Sequence, residues 1–356
     1  AMDFDIVIVG GGLAGLSLAA ALRRAALSVA LVEGRAPVFA DGWDSRIYAI
    51  SPANARFLDE VGAWRHLDPA RMEAVRAMEI HGDAGGRLDF SAYGSGVSEL
   101  AWIIESSLML RELWETAKRQ GNLSLFCPAR PTALAITPDA AHLTFDDGRK
   151  IAARLVVAAD GADSWTRAAA GLDVRFDPYD QLGVVANFAT ELPHRDAAFQ
   201  WFRCSEGVLA WLPLPGNRIS MVWSAPEYLG RELLEMEPEA LSRRVAGAGG
   251  GRLGALELIT AQAGFPLRLM RAPRAVASRL ALIGDAAHTI HPLSGHGINL
   301  GFQDAQALSS LLCEKPAHID CGDLSLLRAY ERARKSDVVT LQTVTDTLHD
   351  LFGPAA

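Results

Sequence analysis

The stretch FDIVIVGGGLAGLSLAAALRRAALSVALVEG, residues 4–34, decides the fold of the chain. Its apolar, β-branched run Phe4–Val9 predicts a buried parallel strand, and the alanine- and leucine-rich segment Leu13–Ala25 predicts a helix. A second short strand is predicted at Val29–Val32, with Glu33 at its carboxyl end. The order strand, tight turn, helix, strand is typical of a Rossmann-like nucleotide-binding unit.

Three glycines lie between the first strand and the helix, and each has its own physical role. Gly10 permits the sharp turn, Gly12 lets a pyrophosphate approach the backbone, and Gly15 allows the helix to pack closely on the strand. Leu13 and Ala14 begin the helix, so its free N–H groups and partial positive charge face the phosphates. The pattern predicts a dinucleotide site.

Glu33 adds specificity to this prediction, because its carboxylate can accept hydrogen bonds from the hydroxyls of an unphosphorylated adenosine ribose. The chain also contains a second match to the glycine pattern, at Gly249, Gly251 and Gly254. That match follows a polar helical segment and leads into no convincing helix, so we predict that it is a loop.

The composition excludes several classes of protein. Half of the 356 residues are hydrophobic, the net charge is −8, and no lysine- or arginine-rich run is present. A protein that binds nucleic acid needs a basic face, so we expect no nucleic-acid partner. The four cysteines show no CxxC spacing, and no signal peptide or membrane-spanning run is recognisable. These features predict a cytoplasmic protein with reduced thiols, with association at a membrane surface as an alternative.

Two further segments place strands ahead of acidic turns. RLVVAADGADSWTRAAAG (154–171) leads into Asp160, and RLALIGDAAHTIHPLSGHGINLGFQDA (279–305) leads into Asp285. With the motifs DSRIYAIS (44–51) and YERARKSD (330–337), the chain resembles the single-component FAD-dependent aromatic hydroxylases, and among them the hydroxylases of ubiquinone biosynthesis. The resemblance covers nearly the whole chain.

The resemblance implies an α/β fold in which a Rossmann-like FAD-binding domain carries an inserted mixed or antiparallel β-sheet substrate domain, as in para-hydroxybenzoate hydroxylase. Arg46 would lie against the pyrophosphate or flavin, Asp160 would serve FAD and NAD(P)H, and Asp285 would bind the ribityl chain or pyrophosphate. The residues that it implies in FAD binding are Gly10, Gly12, Leu13, Ala14, Gly15, Glu33, Arg46, Asp160, Asp285, Pro292, Gly295, Gly297, Ile298 and Asn299.

The histidine-rich part of residues 283–305 has three interpretations: a metal site, a charge-relay catalyst, or a glycine loop that clasps the cofactor. His288 and His291 are followed by a proline and have no nearby cysteine, so we expect no metal. A relay through Ser294 lacks a nucleophile-elbow context. The third interpretation remains, with a helix from about Ile298 whose positive end faces the flavin. His296 replaces a residue that is often Gln in the family, and it is either a catalytic candidate or a tolerated polar substitution.

The motifs divide the chain into a discontinuous FAD-binding domain (1–75, 100–175 and 270–320), a substrate domain (76–99 and 176–269) and a C-terminal helix (321–356). The family usually continues for some tens of residues, which suggests that this last region is truncated. Aromatic residues in the substrate domain, Phe199, Trp211 and Trp223, are candidates for the wall of the substrate site, and the alternative is an ordinary sheet core.

The implied function is that of a monooxygenase that uses bound FAD, NADH or NADPH as transient donor, and O₂ to hydroxylate an aromatic ring. A polyprenyl-phenol intermediate of ubiquinone biosynthesis is the expected substrate. Two alternatives remain: a hydroxylase of a small soluble phenol or secondary metabolite, and a non-catalytic flavin-binding subunit of a biosynthetic complex. Expected contacts are a peripheral membrane surface or a ubiquinone-biosynthesis complex.

Overall fold

The computed structural model describes residues 1–289 and 297–352. The strands within these residues are β1 (Phe4–Val9), β2 (Val29–Val32), β3 (Ile47–Ile50), β4 (Glu73–Val75), β5 (Ala77–His81), β6 (Arg87–Ser91), β7 (Ala101–Glu105), β8 (Leu123–Phe126), β9 (Pro131–Ile136), β10 (Ala141–Phe145), β11 (Lys150–Ala158), β12 (Arg175–Thr190), β13 (Ala197–Arg203), β14 (Gly207–Leu214), β15 (Arg218–Pro226), β16 (Leu256–Arg271), β17 (Val276–Ala277) and β18 (Leu280–Leu282). The helices are α1 (Leu13–Ala21), α2 (Pro52–Glu60), α3 (Ser106–Lys118), α4 (Trp165–Ala169), α5 (Glu227–Glu235), α6 (Pro238–Ala248), α7 (Gly297–Glu314) and α8 (Leu324–Phe352).

The first sheet has a parallel centre in the order β18-β11-β1-β2-β8. Strand β17 and the hairpin of β9 and β10 extend it with antiparallel pairings. The central strands are buried, as the continuous apolar runs predict. Because parallel strands direct their carboxyl ends to one edge, the residues after β1, β11 and β18 meet at that edge.

Helices α1 and α7 pack against each other beside this sheet. Helix α8 is tied to the sheet by Tyr330, which is fully buried and whose hydroxyl donates a hydrogen bond to the carbonyl of Leu282 at 2.8 Å. The carboxylate of Glu331 on the same helix accepts hydrogen bonds from the backbone N–H groups of Ala275 and Val276. The first turns of α8 are therefore part of the wall around the parallel sheet.

The second sheet has seven strands in the order β16-β12-β15-β14-β13-β5-β6, with antiparallel pairs except for the parallel pair of β5 and β13. The hairpin of β14 and β15 turns at residues 215–217, where Gly216 has φ +75°. The second glycine-rich match lies in turns after α6, as predicted, and does not begin a helix.

A third sheet, in the order β3-β7-β4, lies between the other two. Ile47, Ala49 and Ile103 from this sheet share a buried cluster with Ala198 and Leu212 from the seven-stranded sheet. The segments 76–99 and 176–269 carry most of the seven-stranded sheet, while the proposed division into domains stays a prediction.

Candidate functional site

The turn after β1 has the geometry that close backbone packing demands. Gly10 has φ +119°, and a Cβ atom placed on it would lie 2.2 Å from the carbonyl oxygen of Ala159. A Cβ on Gly15 would lie 2.0 Å from the carbonyl oxygen of Gly10. By contrast, a Cβ on Gly12 would meet no atom within 4 Å. The turn is therefore tight on the protein side and open at Gly12, and this fits a site where a pyrophosphate approaches the backbone.

Glu33 lies directly beside this turn. Its Cβ and Cγ atoms would each be 3.1 Å from a Cβ placed on Gly11, so the glycine at position 11 leaves room for the acid. The backbone of Glu33 is fixed by hydrogen bonds with Phe126 and Ala129. Among the described residues, its carboxylate has no hydrogen-bond or ion-pair partner, so it is available to ribose hydroxyls.

Three motifs that are far apart in the sequence meet at Ala14 in the first turn of α1. Its Cβ atom would lie 3.1 Å from a Cβ on Gly284, which follows β18, and 3.5 Å from a Cβ on Gly301 in α7. Glycine at position 284, which has φ +63°, lets the end of β18 approach the amino end of α1, and a Cβ on Gly301 of α7 would be in van der Waals contact with the same alanine. The predicted cofactor-binding segments around Gly12, Asp285 and Gly297 are thus brought together.

Asp285 follows Gly284 and lies on the open side of this meeting point. The surrounding protein atoms desolvate the carboxyl group and raise its pKa, and the charge of Asp304 adds to the rise, whereas His288 and Arg46 act in the opposite direction. The side chain still reaches solvent, so its desolvation is partial. Asp285 and Arg46 therefore face the same region, as their proposed contacts with one cofactor require.

Behind Asp285, the fully buried Asp304 fixes the turn. Its Oδ2 atom accepts a hydrogen bond from the backbone N–H of Gly284 at 2.8 Å, and its Oδ1 atom accepts one from Nε of Arg334 at 2.6 Å. Nε2 of His288 lies 2.8 Å from Oδ2, but it meets the geometry of a hydrogen bond with no atom of the described residues. Asp304 and Arg334 were not predicted from the sequence, although both occur in the motifs that carry the family resemblance.

Asn299, predicted to lie beside the isoalloxazine, uses its side chain to connect α7 with the start of α2. Its Oδ1 atom accepts hydrogen bonds from the backbone N–H of Ser51 at 2.9 Å and from Nδ2 of Asn54 at 2.8 Å. Its Nδ2 group donates to the carbonyl of Ala49 at 2.7 Å. Asn299 thereby fixes the first turn of α7, which begins at Gly297 and includes Ile298, against the strand that follows Arg46.

Tyr48 lies next to the candidate site and was not predicted from the sequence. Burial raises the pKa of its hydroxyl; the charge of Arg46 lowers it, and those of Asp285 and Asp44 raise it. A hydrogen bond with the side chain of Ser106 also lowers this pKa. Tyr48 therefore lies in the same charged environment as the proposed flavin contacts, and the motif DSRIYAIS is the only signal that could have indicated it.

The Asp160 carboxylate is occupied by the helix that follows it. It accepts hydrogen bonds from the Ser164 hydroxyl and from both the backbone N–H and the hydroxyl of Thr166, the latter two at 3.0 Å. Arg167 of the same helix is buried and donates to the carbonyl of Ala286 at 2.9 Å. The geometry thus shows Asp160 organising α4 next to the turn of Gly10, and its contribution to FAD or NAD(P)H stays a prediction.

The three aromatic candidates for the substrate wall are packed in a core. Phe199, Trp211 and Trp223 are each at most 3% exposed, and they belong to a cluster with Leu229 of α5 and Leu241 of α6. This cluster occupies the face of the seven-stranded sheet that the two helices cover. The opposite face carries Ala198 and Leu212 and meets the three-stranded sheet. The geometry therefore favours the alternative of an ordinary sheet core for these three residues.

His291, Pro292, Ser294, Gly295 and His296 lie outside the described residues, so the predicted contacts of Pro292 and Gly295 and the catalytic candidate His296 stay predictions. Within residues 1–289 and 297–352, no group of three His, Cys, Asp or Glu side chains is arranged to hold a metal ion. In the same part of the chain, no helix combines the length and hydrophobicity needed to cross a bilayer.

The fold and this convergence of motifs define a flavin-binding protein, and comparisons with known proteins agree. Residues 3–344 match the family model described as FAD binding domain. The chain is 35% identical to the ubiquinone hydroxylase UbiL of Rhodospirillum rubrum, over 98% of this chain and 81% of that protein. It is 32% identical to the 3-demethoxyubiquinol 3-hydroxylase of Escherichia coli, over 98% of this chain and 90% of that protein. The crystal structure of PqsL, a probable FAD-dependent monooxygenase from Pseudomonas aeruginosa, superposes with a TM-score of 0.79 at 23% identity, over 96% of this chain and 94% of that one.

The chain belongs to the FAD-binding family of flavoprotein hydroxylases. The predictions of the family, of the α/β fold class, of FAD as cofactor and of an FAD-dependent aromatic hydroxylase are confirmed.

Proposed function

We propose that the protein hydroxylates the aromatic ring of a polyprenylated phenol, an intermediate of ubiquinone biosynthesis, with O₂ and with NADH or NADPH as electron donor. Two relatives that cover nearly the whole chain are hydroxylases of ubiquinone or demethoxyubiquinol by name. The structural observation that supports the proposal is that Gly284 and Gly301 meet at Ala14, two residues after Gly12, because this brings together the segments to which we assign FAD binding.

We assign FAD binding to the residues around this meeting point. The N–H groups at the start of α1, with Gly10, Gly12, Leu13, Ala14 and Gly15, would hold the pyrophosphate, since a helix N-terminus stabilises negative charge. Glu33 would accept the ribose hydroxyls. Arg46, Asp285 and the first turn of α7, with Gly297, Ile298 and Asn299, would contact the ribityl and flavin portions. Asp160, two residues after β11, would support this site.

When bound, FAD supplies the redox chemistry that reduces O₂ and delivers one oxygen atom to the ring. The contribution of the chain is to bind, orient and exclude water. The partial positive charge at the start of α7 favours a negatively charged flavin ring, and the guanidinium of Arg46 adds to that charge. This chemistry needs no protein nucleophile.

We place the aromatic substrate on the face of the seven-stranded sheet opposite α5 and α6. Ala210 and Val222 are cross-strand neighbours on this face, and both are buried, at 2% and 7% exposure. This face also carries Asn187, whose Nδ2 group donates to the carbonyl of Asp44 at 2.9 Å, so it approaches the segment that contains Arg46. Contact with a membrane or with other biosynthetic proteins stays a prediction.

The test is complementation of an Escherichia coli strain that lacks 3-demethoxyubiquinol 3-hydroxylase, with mass analysis of its quinone intermediates. We expect expression of this chain to restore ubiquinone, or to alter which intermediate accumulates if it hydroxylates another ring position. An unchanged set of intermediates would contradict the proposal, provided that the expressed protein contains FAD.

A second measurement separates the two alternatives. Oxidation of NADH and NADPH is followed under air, with and without short-chain prenyl phenols and simple phenols. Stimulation by simple phenols alone would favour a hydroxylase of small soluble substrates. Absence of stimulation by every phenol, with FAD bound, would favour a non-catalytic flavin-binding subunit.

A further inference from the structure

The segment that carries Arg46 is held by an ion pair whose carboxylate is buried and whose Arg71 side chain is 30% exposed. Glu105, which is fully buried at the end of β7, accepts two hydrogen bonds from Arg71, from Nε to Oε2 at 2.9 Å and from Nη2 to Oε1 at 2.7 Å. The Oε1 atom also accepts a hydrogen bond from the backbone N–H of Asp44 at 2.7 Å. A bidentate pair of guanidinium and carboxylate fixes direction as well as charge, so Asp44 has a defined position relative to β7.

Asp44 connects this ion pair with three other parts of the molecule through hydrogen bonds. Its Oδ1 atom accepts the backbone N–H of Arg46 at 3.0 Å, and its Oδ2 atom accepts that of Ser107, in the first turn of α3, at 3.0 Å. Its carbonyl accepts the side-chain amide of Asn187, on β12 of the seven-stranded sheet, at 2.9 Å. The backbone of Arg46 is therefore tied to a helix and, through Asp44, to the sheet on which we place the substrate.

Trp43 and Gly42 strengthen the same arrangement. The guanidinium carbon of Arg71 lies 4.2 Å from the centroid of the Trp43 ring, and that of Arg218, on β15, lies 5.4 Å from it. Nη2 of Arg71 also donates to the carbonyl of Gly42 at 3.0 Å. Cations over an indole ring attract it, so Trp43 connects Arg71 with the seven-stranded sheet.

We propose that Arg71 and Glu105 are positioning residues that set the place of Arg46 and thereby the affinity and redox properties of the bound flavin. This inference rests on the proposed function only in taking Arg46 as a flavin contact. A merely stabilising role is the alternative, because removal of Arg71 would leave the buried carboxylate of Glu105 without its partner. The hydrogen bonds that Arg71 and Asp44 make with this loop and with Glu105 instead specify a backbone position.

The test is a double-mutant cycle on FAD binding by the apoprotein, followed by flavin fluorescence. We expect Arg71→Met and Arg46→Met each to weaken binding by about tenfold, and the double variant to bind no more than about twofold more weakly than Arg46→Met, because coupled residues act non-additively. Fully additive losses would overturn the proposal, and so would an Arg46→Met variant with unchanged affinity.

The matched control is Arg279, which forms another bidentate pair, with Asp320, at 2.7 and 3.1 Å. It lies at the end of β18 remote from Gly284, and its side chain is 8% exposed. Arg279→Met should lower the urea midpoint of unfolding without changing FAD affinity. If Arg71→Met also lowers the urea midpoint and leaves FAD affinity unchanged, Arg71 is only a structural residue and the proposal is wrong.

The visible absorption spectrum and the reduction potential of the bound flavin supply a second readout. Arg71→Met and Arg46→Met should shift both in the same direction, and Glu105→Gln, which keeps an acceptor for the N–H of Asp44, should give a smaller shift. If Arg71→Met does not fold, Arg71→Lys replaces it in the cycle, because lysine keeps the charge and loses the bidentate contact.

These readouts need no substrate, so they separate the two proposals. A non-additive cycle in a protein that no phenol stimulates would support the positioning role and remove the proposed function. An additive cycle in an active hydroxylase would support the proposed function and overturn the positioning role.

Discussion

The parallel sheet and the seven-stranded sheet place their informative residues in different ways. At the parallel sheet, the candidate site is built at the ends of strands, where glycine is required because a Cβ atom at Gly10 or Gly15 would lie only 2.0–2.2 Å from a carbonyl oxygen. In the seven-stranded sheet, most side chains on both faces are apolar, although Asn187 and Ser220 are buried polar residues on the face opposite α5 and α6, and β14 is buried along nearly its whole length. At the parallel sheet, the spacing of the glycines indicates where the candidate site lies. In the seven-stranded sheet, the sequence does not reveal which face meets the substrate.

The largest expected effect tests the assignment of the two faces. Trp211→Ala should destabilise the apoprotein by about 3–5 kcal/mol, because it removes a fully buried ring from the cluster under α5 and α6. The Michaelis constant for a phenolic substrate should change little in the folded fraction. Val222→Ala, on the opposite face, should cost less stability and alter that constant.

Urea unfolding and steady-state kinetics on both variants provide the measurement. A stable Trp211→Ala protein with a changed Michaelis constant would reverse the two faces and restore Trp211 as a candidate for the substrate wall.

A pair of glycine substitutions sharpens the other side of the comparison. Gly15→Ala should destabilise the fold by about 1–3 kcal/mol, because its Cβ would lie 2.0 Å from the carbonyl oxygen of Gly10. Gly12→Ala should leave stability unchanged, since its φ of −82° suits alanine and its Cβ would meet no atom within 4 Å. It should nevertheless weaken FAD binding by at least about tenfold, because a methyl group would occupy the approach to the pyrophosphate.

Thermal unfolding of the apoproteins and titration with FAD distinguish the two effects. If Gly12→Ala binds FAD as the wild type does, the open side of the turn does not face the cofactor.

The sequence predicted the strand, the glycine turn and the helix after β1, because short-range chemistry decides them. Gly10 to Glu33 lie within one strand–helix–strand unit, so their spacing alone fixes their relation. Asp304 and Arg334 could not be predicted in the same way, since they are brought together across two helices and act on Gly284 through a buried carboxylate. The place of Trp223 in the core under α5 and α6 could not be predicted from the sequence. Alternation along a strand separates two faces, but it does not show which element covers each face. Tyr48 was overlooked because two of the groups around it, Asp285 and Ser106, are distant in the sequence.

Glu33 offers a smaller effect, at the end of β2 in the parallel sheet. Glu33→Ala should weaken FAD binding by about 1–3 kcal/mol, the contribution of hydrogen bonds to a charged group. Glu232→Ala, on the exposed side of α5, is the control and should leave FAD affinity unchanged. Isothermal titration of each apoprotein measures the difference. Equal affinities in the two variants would make Glu33 a solvated strand end.

The smallest effect concerns the junction at which the chain passes from the three-stranded sheet to the seven-stranded one. Glu73 of β4 forms a side-chain hydrogen bond with Asp196, and the backbone N–H of Arg76 donates to the carbonyl of Asp196 at 2.8 Å. Partial burial, the hydrogen bond and the charge of Asp196 raise the pKa of Glu73 from 4.5 to about 7, although Arg76 opposes the rise. The shared proton therefore joins two carboxyl groups at this junction.

A raised carboxyl pKa gives a definite sign to the pH dependence. The folded state binds this proton more tightly than the unfolded state, so the contribution to stability is complete below pH 4.5 and is lost as pH rises through about 7. Glu73→Gln keeps a hydrogen-bond donor toward Asp196 at every pH, and it should remove this part of the decline between pH 5 and pH 8. Because Glu73 is only partly buried, the difference should stay below about 1 kcal/mol. Urea unfolding of both proteins at pH 5, 6, 7 and 8 measures this difference in the free energy of unfolding. If that free energy depends on pH in the same way in both proteins, the junction between the sheets is insensitive to this proton.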